Sequence, residues 1–345
     1  MNRVLVVPDK WKGTASAADM AKALSEAAEA RGWESLLAPL SDGGEGLLDA
    51  CAARCPEVFE TDVRGPLGAP TQARWRQGEG LAVVELASAS GLTLVGGATA
   101  NDPIQATTYG TGQLVAAAAR SVGPKGTVVV GLGGSATTDG GAGLVAAVDD
   151  AGGLHGASLL GACDVTTTFV DAARLFAPQK GAKPVQVAQL TVRLERLAED
   201  YLVRAGVDVR DVPGGGAAGG TGGGIVALGG TLTSGYELVA DLVDLSGLLE
   251  RADRVVTGEG GLDATSFAGK VVGGVVADAR ARDLPVLVVV GRSDDDGRAR
   301  AEAAGADLVV LTDRFGIDES MRSPCQHAGE VTGEWLGALG LDALG

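Results

Sequence analysis

The chain has 345 residues, which is enough for two domains of ordinary size with a core each. Its formal net charge of −16 repels a nucleic-acid backbone, and no lysine- or arginine-rich run offsets that charge, which argues against DNA or RNA as a partner. No apolar run reaches membrane-spanning length, and the first residues are typical of a strand and not of a signal peptide. A cytoplasmic protein without membrane partners is therefore expected.

The cysteines and histidines argue against a zinc site. None of the cysteines forms a CxxC pair, and only two histidines accompany them. Free thiols are the expectation for Cys51, Cys55, Cys163 and Cys325.

The N-terminal segment predicts strands and helices in alternation. The apolar run 3–9 predicts a buried strand, and apolar residues at helical spacing from Ala17 predict a helix that Gly32 ends. The segment 33–40 predicts a second strand, followed by a glycine turn and another helix. This order is typical of a parallel sheet covered by helices.

The middle of the chain differs from both ends. The pattern predicts a hairpin over 71–87, a buried strand over 127–131, and helices over 184–204 and 217–228. The glycine-rich segment 214–224 is either a flexible linker or a tight turn into a close-packed or ligand-facing helix start.

The C-terminal part returns to alternating strands and helices. Strands are predicted over 252–260, 284–291 and 306–313, with helices around 268–282 and 296–304.

We therefore predict an α/β protein of two domains. A discontinuous parallel-sheet domain comprises 1–70 plus 245–345, and a second α/β domain, 71–244, is inserted into it, with the ligand cleft between them. Two consecutive domains are the alternative.

A strand, a glycine loop and a helix follow one another at 129–144, VVGLGGSATTDGGAGL. The spacing of its glycines matches a dinucleotide fingerprint, but the acids near the expected distance lie in a polar turn, which disfavours that site. Backbone N–H groups of Gly133 and Gly134, with the hydroxyls of Ser135 and Thr137, are suited to phosphate. Asp139 caps the helix or contacts a metal or substrate.

Two more loops combine glycines with carboxylates. SDGGEG holds Asp42 and Glu45 among glycines that include Gly43 and Gly44, and TGEGGLD holds Glu259 and Asp263. Each acid alone could cap a turn. Because the carboxyl ends of parallel strands meet at one edge, we expect the acids to converge there and to suit Mg²⁺.

Basic residues beside glycine complete the candidate site. Lys12, Lys180 and Lys270 each lie next to a glycine or one residue from it. Each could neutralise a phosphoryl group or a substrate carboxylate, although a solvated surface lysine is the usual alternative.

The sequence resembles the first family of glycerate kinases, through motifs that run almost end to end. The matching segments are VVPDKWKGTASA at 6–17, PLSDGGEG at 39–46, ELASASGL at 85–92, TTYGTGQL at 107–114, GLGGSATTDGGAG at 131–143, ACDV at 162–165, APQKGA at 177–182, PGGGAAGGTGGG at 213–224, VTGEGGLD at 256–263 and GK at 269–270. The resemblance implies ATP-dependent, Mg²⁺-dependent phosphorylation of D-glycerate, or a similar small hydroxy acid, to 2-phosphoglycerate. It also implies two α/β domains, of which the discontinuous one is Rossmann-like.

The resemblance assigns expected roles to the candidate residues, in four groups. The catalytic group is Lys12, Asp42, Asp164 and Lys270; the phosphate- or nucleotide-binding group is Gly133, Gly134, Ser135, Thr137, Lys180 and Gly258; the substrate-binding group is Asp9, Gly43, Gly44 and Asp139; the metal ligands are Glu45, Glu259 and Asp263.

Some positions depart from the family pattern. Gly261 stands where the family motif has arginine, and the segment before ACDV is shorter by some tens of residues. Thr166 replaces the asparagine that normally follows CDV, and Lys10 replaces a serine. A family member that has lost catalysis and binds a nucleotide or an organic acid is therefore the alternative function. A homodimer is left open beside a monomer.

Overall fold

A computed structural model describes residues 2–11 and 13–338 of the chain, so the predicted catalytic residue Lys12 lies outside the described residues. The chain divides into two compact units. The first is made of Met1–Asp42 and Val239–Gly345, and the second is Gly43–Leu238. The discontinuous α/β arrangement that the sequence predicts is confirmed.

The strands are numbered in chain order. They are β1 (Arg3–Pro8), β2 (Glu34–Leu37), β3 (Glu57–Arg64), β4 (Pro70–Gly78), β5 (Leu81–Glu85), β6 (Thr127–Gly131), β7 (Ser158–Cys163), β8 (Thr231–Ser234), β9 (Arg254–Leu262), β10 (Val286–Ser293) and β11 (Asp307–Val310).

The α-helices are numbered in the same way, and short 3₁₀ turns cover Thr93–Val95, Pro178–Lys180 and Ala264–Phe267. The helices are α1 (Ala17–Glu29), α2 (Leu47–Ala50), α3 (Ala87–Ser90), α4 (Tyr109–Val122), α5 (Ala142–Asp150), α6 (Asp171–Phe176), α7 (Pro184–Ala205), α8 (Ala217–Ala227), α9 (Gly235–Leu242), α10 (Leu245–Leu249), α11 (Val271–Arg280), α12 (Asp295–Ala303), α13 (Leu311–Phe315), α14 (Ile317–Arg322) and α15 (Pro324–Gly337).

The first unit is built on a five-stranded parallel sheet in the order β11-β10-β9-β1-β2. Side chains of successive strand residues alternate between the two faces. Val4, Val6 and Val256 on one face form a core with residues of α1 and α15. α11 packs against β1, β9 and β10 and covers the other face. The sheet is thus covered on both sides, as the unbroken apolar runs predict.

The second unit contains a six-stranded sheet in the order β3-β4-β5-β6-β7-β8. The predicted hairpin is confirmed as β4 and β5, which pair antiparallel, whereas β5 to β8 pair parallel. β3 pairs antiparallel with β4 over its whole length. The predicted domain boundary at 70/71 therefore differs from the structure, since β3 is hydrogen-bonded to the strand that follows that boundary.

Three segments differ from the sequence expectation. β9 continues to Leu262, two residues beyond the predicted strand, because Gly261 and Leu262 still pair with β10. The strand predicted over 306–313 ends at Val310, and the chain turns into α13. The glycine-rich segment is not a linker, since it enters α8 through residues of positive φ at Ala218–Gly220.

No helix of the described segments combines the length and the apolar character that crossing a membrane requires.

Candidate active site

The sheet of the first unit has a topological switch point between β1 and β9. The chain leaves β1 towards β2 on one side of the sheet, and it leaves β9 towards β10 on the other side. In open parallel sheets a crevice opens at the carboxyl ends of two such strands, and ligands bind there. The residues that follow β1 and those that end β9 are therefore the first candidates for a site.

Asp9 lies at this switch point, directly after β1. Its backbone N–H donates to the carbonyl of Gly258, at 2.9 Å, and its carboxylate accepts from the backbone of Lys10, at 2.7 Å. The residue is only 8% exposed, and burial together with the charge of Asp42 raises its pKa to about 6, against the opposing effect of Lys10 and Lys270. Asp42 itself forms an ion pair with Lys10, at 3.5 Å.

Glu259 lies beside Asp9 on the neighbouring strand. Burial, assisted by the charge of Asp9, raises its pKa to about 7, against the lowering effect of a hydrogen bond from Ser266 and of the charge of Lys270. Its Oε1 is buried and has no hydrogen-bond partner within the described part of the chain. A pair of carboxylates that repel each other in a poorly hydrated position favours a bound cation.

Asp263 and Lys270 frame the short turn that leads into α11. Asp263 caps this turn, because its Oδ1 accepts from the backbone of Thr265 and Ser266 and from the Thr265 hydroxyl. These bonds lower the pKa of Asp263. Lys270 is the N-cap residue of α11, and its Nζ donates to Thr265 Oγ1 at 3.0 Å. Residue 270 thus lies at a helix N-terminus, where anions are stabilised.

The end of β9 is lined by glycines with different neighbours. At Gly258, a Cβ would lie 2.0 Å from the carbonyl oxygen of Val289, so the close approach of β10 requires glycine. At Gly261, where the family motif has arginine, a Cβ would meet only the side chain of Arg292 on β10. Packing of the strands thus accounts for Gly258, and its contact with phosphate stays a prediction.

In the second unit, the segment Gly43–Gly46 packs on the end of β6, backbone against backbone. A Cβ on Gly133 would lie 2.6 Å from Cα of Gly44, so no side chain fits between the two loops. Glu85, the last residue of β5, holds the segment, because its Oε1 accepts from the backbone N–H groups of Gly46 and Leu48, each at 3.0 Å. The glycine loops are therefore brought together and anchored by a carboxylate.

Lys180 is buried behind the loop that follows β6. It is 3% exposed, and its Nζ donates to Ser135 Oγ at 2.7 Å and to the Thr137 carbonyl at 2.6 Å. Asn101 reinforces the same loop, since its side-chain amide donates to the carbonyls of Lys180 and Ala136. Burial lowers the pKa of Lys180 to about 7, against the raising effect of Asp139. Lys180 thus holds the loop, and a contact with phosphate stays a prediction.

Asp139 is 1% exposed and serves as a cap for two helices. Its carboxylate accepts from Gly141 and Gly143 at the start of α5, and from the backbone and hydroxyl of Thr108 at the start of α4. The Thr107 hydroxyl also points to it, at 3.3 Å. These contacts confirm the helix-capping alternative, and a direct contact with substrate stays a prediction that they do not support.

The remaining predicted residues lie at the same edge of the second sheet. Asp164 directly follows β7, and Glu45 lies close enough to Glu85 for its charge to raise the pKa of that carboxyl. Thr137 Oγ1 is buried and has no hydrogen-bond partner among residues 2–11 and 13–338.

The acidic residues fit Mg²⁺ only as part of its ligand set. No group of three or more His, Cys, Asp or Glu side chains in the described part of the chain could hold a metal ion alone. Mg²⁺ is commonly bound in proteins through one or two carboxylates, with waters and substrate phosphates as its other ligands. The buried Oε1 of Glu259 without a partner, close to Asp9, meets that requirement.

Sequence reasoning missed three residues of these clusters. Glu85 ends a strand and Asn101 lies in a loop, and no pattern marks either polar residue as an anchor. Arg292 could have been found, because it lies directly after Gly291 at the end of a predicted strand, as a basic residue beside glycine. Its place opposite Gly261 follows only from the register of β9 and β10.

Comparisons with known proteins agree with this geometry. A family model described as the glycerate kinase family matches residues 4–151 and 149–332. The chain is 36% identical to glycerate 2-kinase of Escherichia coli strain K12, with 93% of each chain covered. It is 33% identical to glycerate kinase of Bacillus subtilis strain 168, over 86% of this chain and 87% of that protein.

A solved structure is similar over nearly the whole chain. It is the crystal structure of a Salmonella typhimurium LT2 protein provisionally assigned as glycerate kinase 2. The TM-score is 0.82 and the sequence identity is 29%, with 99% of each chain covered.

Proposed function

The chain belongs to the glycerate kinase family and is a phosphotransferase with an alcohol group as acceptor, and we propose that it uses ATP to convert D-glycerate into 2-phosphoglycerate. A similar small hydroxy acid is the other substrate class to be tested. We also expect it to act in the cytoplasm on small molecules alone, and a homodimer stays a prediction.

The observation that carries this proposal is the charge cluster at the switch point of the first sheet. Asp9 and Glu259 are carboxylates held out of water side by side, and Lys10 and Lys270 are the cations that act on them. Phosphoryl transfer requires mainly positioning and stabilisation of negative charge. Carboxylates that can hold a metal beside lysines that can face phosphate supply both.

Mg²⁺ would be held by Glu259, with Asp263 four residues further along the chain, and Glu45 is kept as a third predicted ligand. When bound, the ion neutralises charge on the phosphates of ATP. The ammonium of Lys270, next to the N-terminus of α11, is suited to stabilise the transferred phosphoryl group. Lys12 keeps the same predicted role.

The chain's own carboxylates would orient the acceptor. The glycerate hydroxyl oxygen forms a bond to the γ-phosphorus as the bond from that phosphorus to the β,γ-bridging oxygen breaks, and ADP leaves with the bond electrons. The hydroxyl proton passes to a carboxylate, for which Asp42 is the candidate in the first unit and Asp164 in the second. Asp9 is suited to accept a hydrogen bond from the substrate.

The glycine loops of the second unit are proposed to bind nucleotide phosphate through backbone N–H groups. Gly133 and Gly134 supply these groups, with Ser135 and Thr137 next to them. The contacts of Lys180 with this loop support a role in shaping it.

The test is a coupled assay of ADP release with D-glycerate, ATP and Mg²⁺, in which ³¹P NMR identifies the phosphorylated hydroxyl. Lys270→Met should lower kcat by about 100-fold, because a cation at the transferred group is lost. Lys22→Met is the matched control, since that lysine is exposed on α1 and should leave kcat unchanged.

The outcomes separate the two candidate functions. ADP release above a control without acceptor supports the kinase. Thermal stabilisation by ATP and Mg²⁺ without any turnover, over a panel of hydroxy acids, supports the alternative of a binding protein that has lost catalysis. Unchanged kcat/KM in Lys270→Met would remove that lysine from the mechanism.

A further inference from the structure

We propose that Arg292 forms an oxyanion subsite at the carboxyl end of β10, where its guanidinium binds the carboxylate or a phosphate of the substrates. The subsite deepens the proposed function and rests on it. Three features support the subsite: the register of two strands, the space that a glycine leaves, and the contacts of the arginine.

The register places Arg292 in a row with the acidic residues of the switch point. Arg292 pairs with Gly261, and Val290 pairs with Glu259, so the positions two residues apart share one face of the sheet. The charge of Asp9, which follows β1 on the same edge, acts on Glu259. The arginine is therefore on the face and at the end of the sheet where the carboxylates lie.

Gly261 leaves the space that the arginine side chain uses. A Cβ at this position would lie 3.2 Å from Nε and 3.5 Å from Cγ of Arg292, and no other atom of the described residues would come within 4 Å. The stem of the arginine thus crosses the bare backbone of β9. A side chain at position 261 would require the arginine to move by a few tenths of an ångström.

The guanidinium has no partner in the described part of the chain. Within residues 2–11 and 13–338, no hydrogen bond, ion pair or ring contact involves the Arg292 side chain, and the residue is exposed. Other arginines of the first unit hold carboxylates, as Arg314 holds Glu334 with two hydrogen bonds at 2.7 Å. An unpaired arginine at a ligand-binding edge of an open sheet can offer its full set of donors to an incoming anion.

The chemistry of the group selects the ligand. A guanidinium is planar, stays charged at any pH near neutrality and matches two oxygens of a carboxylate or phosphate with parallel hydrogen bonds. A neutral hydroxyl compound would gain little from it. The acid group of glycerate and the phosphates of ATP are the two sources of such an oxyanion in the proposed reaction.

The experiment compares Arg292→Met, Arg292→Lys and a matched control, Arg251→Met. Arg251 is an exposed arginine just before β9, at the opposite end of the strand. We expect Arg292→Met to lower kcat/KM by about 10- to 100-fold, and Arg292→Lys to lose less, because a point charge replaces a two-pronged donor. The control should stay within about twofold of the unaltered protein, which is the ordinary range for an uninvolved surface residue.

The substrate whose KM rises identifies the source of the oxyanion. A rise in the KM for D-glycerate assigns the carboxylate, and a rise in the KM for ATP assigns a phosphate. Values of kcat and of both KM that stay within about twofold in Arg292→Met would overturn the proposal.

A swap of positions tests the placement. The double variant Gly261→Arg with Arg292→Met restores a guanidinium on the adjacent strand, and the extended backbone of position 261 accepts a side chain. We expect the kcat/KM of the double variant to be about threefold or more above that of Arg292→Met, which corresponds to part of one charge-assisted hydrogen bond. No recovery would overturn the placement of the guanidinium over Gly261.

A failure of the proposed function has a different signature. In that case the unaltered protein produces no ADP with D-glycerate, and calorimetric titration with ATP and with D-glycerate replaces the assay. Weaker binding of either compound to Arg292→Met than to Arg251→Met still supports the subsite. Equal binding of both compounds overturns it.

Discussion

Glu259 and Asp263 are four residues apart and have opposite electrostatic environments. Burial raises the pKa of Glu259, whereas hydrogen bonds from Thr265 lower the pKa of Asp263. Ionised Glu259 therefore destabilises the folded state, and ionised Asp263 stabilises it. The two acids of one motif therefore have opposite effects on stability, although both are proposed to face the metal.

We expect Glu259→Gln to raise the free energy of unfolding by about 1–2 kcal/mol at pH 8, because a repelled carboxylate is removed, while kcat falls. The folded-state pKa of Glu259 is above the unfolded value. Its contribution to the free energy of unfolding is therefore full at low pH and is lost as the pH rises through about 7. Asp263→Ala is the matched control and should lower stability by about 1 kcal/mol, since a cap is lost. Chemical denaturation at pH 8 measures both, and a destabilised Glu259→Gln contradicts the interpretation.

Lys180 gives the second residue-scale prediction, on the dependence of stability on pH. Its folded-state pKa of about 7 is below the unfolded value, so the unfolded chain binds more protons between pH 7 and 10, and the contribution of Lys180 to stability rises with pH in that range. The unfolding free energy of the unaltered protein minus that of Lys180→Met should therefore rise by up to about 1.4 kcal/mol per pH unit between pH 7.5 and 9.5. Denaturation curves across this pH range measure the difference between the two unfolding free energies. A difference that does not change with pH means that the buried ammonium keeps its charge.

At the scale of the element, α8 shows why a run of glycines is an ordered structure in this chain. The residues Ala218, Gly219 and Gly220 have positive φ, and the segment packs directly on the loop that follows β6. Gly141 lies in contact with Gly224 and Thr221 of the helix. The backbones of two elements thus meet where side chains would normally separate them.

Substitution of two glycines of positive φ distinguishes the cost of backbone strain from the cost of steric crowding. Gly219→Ala would put Cβ 2.0 Å from the Thr137 carbonyl oxygen, whereas Gly229→Ala meets no described atom within 4 Å. We expect more than about 3 kcal/mol of destabilisation for Gly219→Ala, and about 1 kcal/mol for Gly229→Ala from the unfavourable φ alone. Thermal unfolding of both variants checks this, and equal losses would show that the loop after β6 moves away at little cost.

At the scale of the whole molecule, the sheet orders decide where chemistry can occur. In the first unit the strands on either side of the switch point bring Asp9 and Glu259 together, although 250 residues separate them in sequence. In the second unit the parallel strands β5, β6 and β7 end beside the segment Gly43–Gly46, which Glu85 anchors. Each cluster is thus a consequence of strand order more than of local sequence.

Local patterns and short motifs of the sequence predicted most of the fold and part of the candidate site. The alternating pattern and the glycine motifs predicted the βαβα order, the hairpin, the discontinuous α/β fold and the family, because these depend on local periodicity and on short motifs. The acids Asp42, Glu45, Glu259 and Asp263 were predicted to converge. In the first unit, the charge of Asp42 raises the pKa of Asp9, and the charges of Asp9 and Asp263 raise that of Glu259. Their metal and substrate roles stay predictions.

Only the tertiary structure decided which polar groups are anchors and which are available to a ligand. The sequence predicted Asp139 and Lys180 as site residues. In the structure each is buried and held by several hydrogen bonds, because the packing of neighbouring loops determines burial. Arg292 carries no strong motif, and the register of β9 and β10 sets it over Gly261. Contacts of this kind join residues distant in sequence, so periodicity and short motifs hold no information about them.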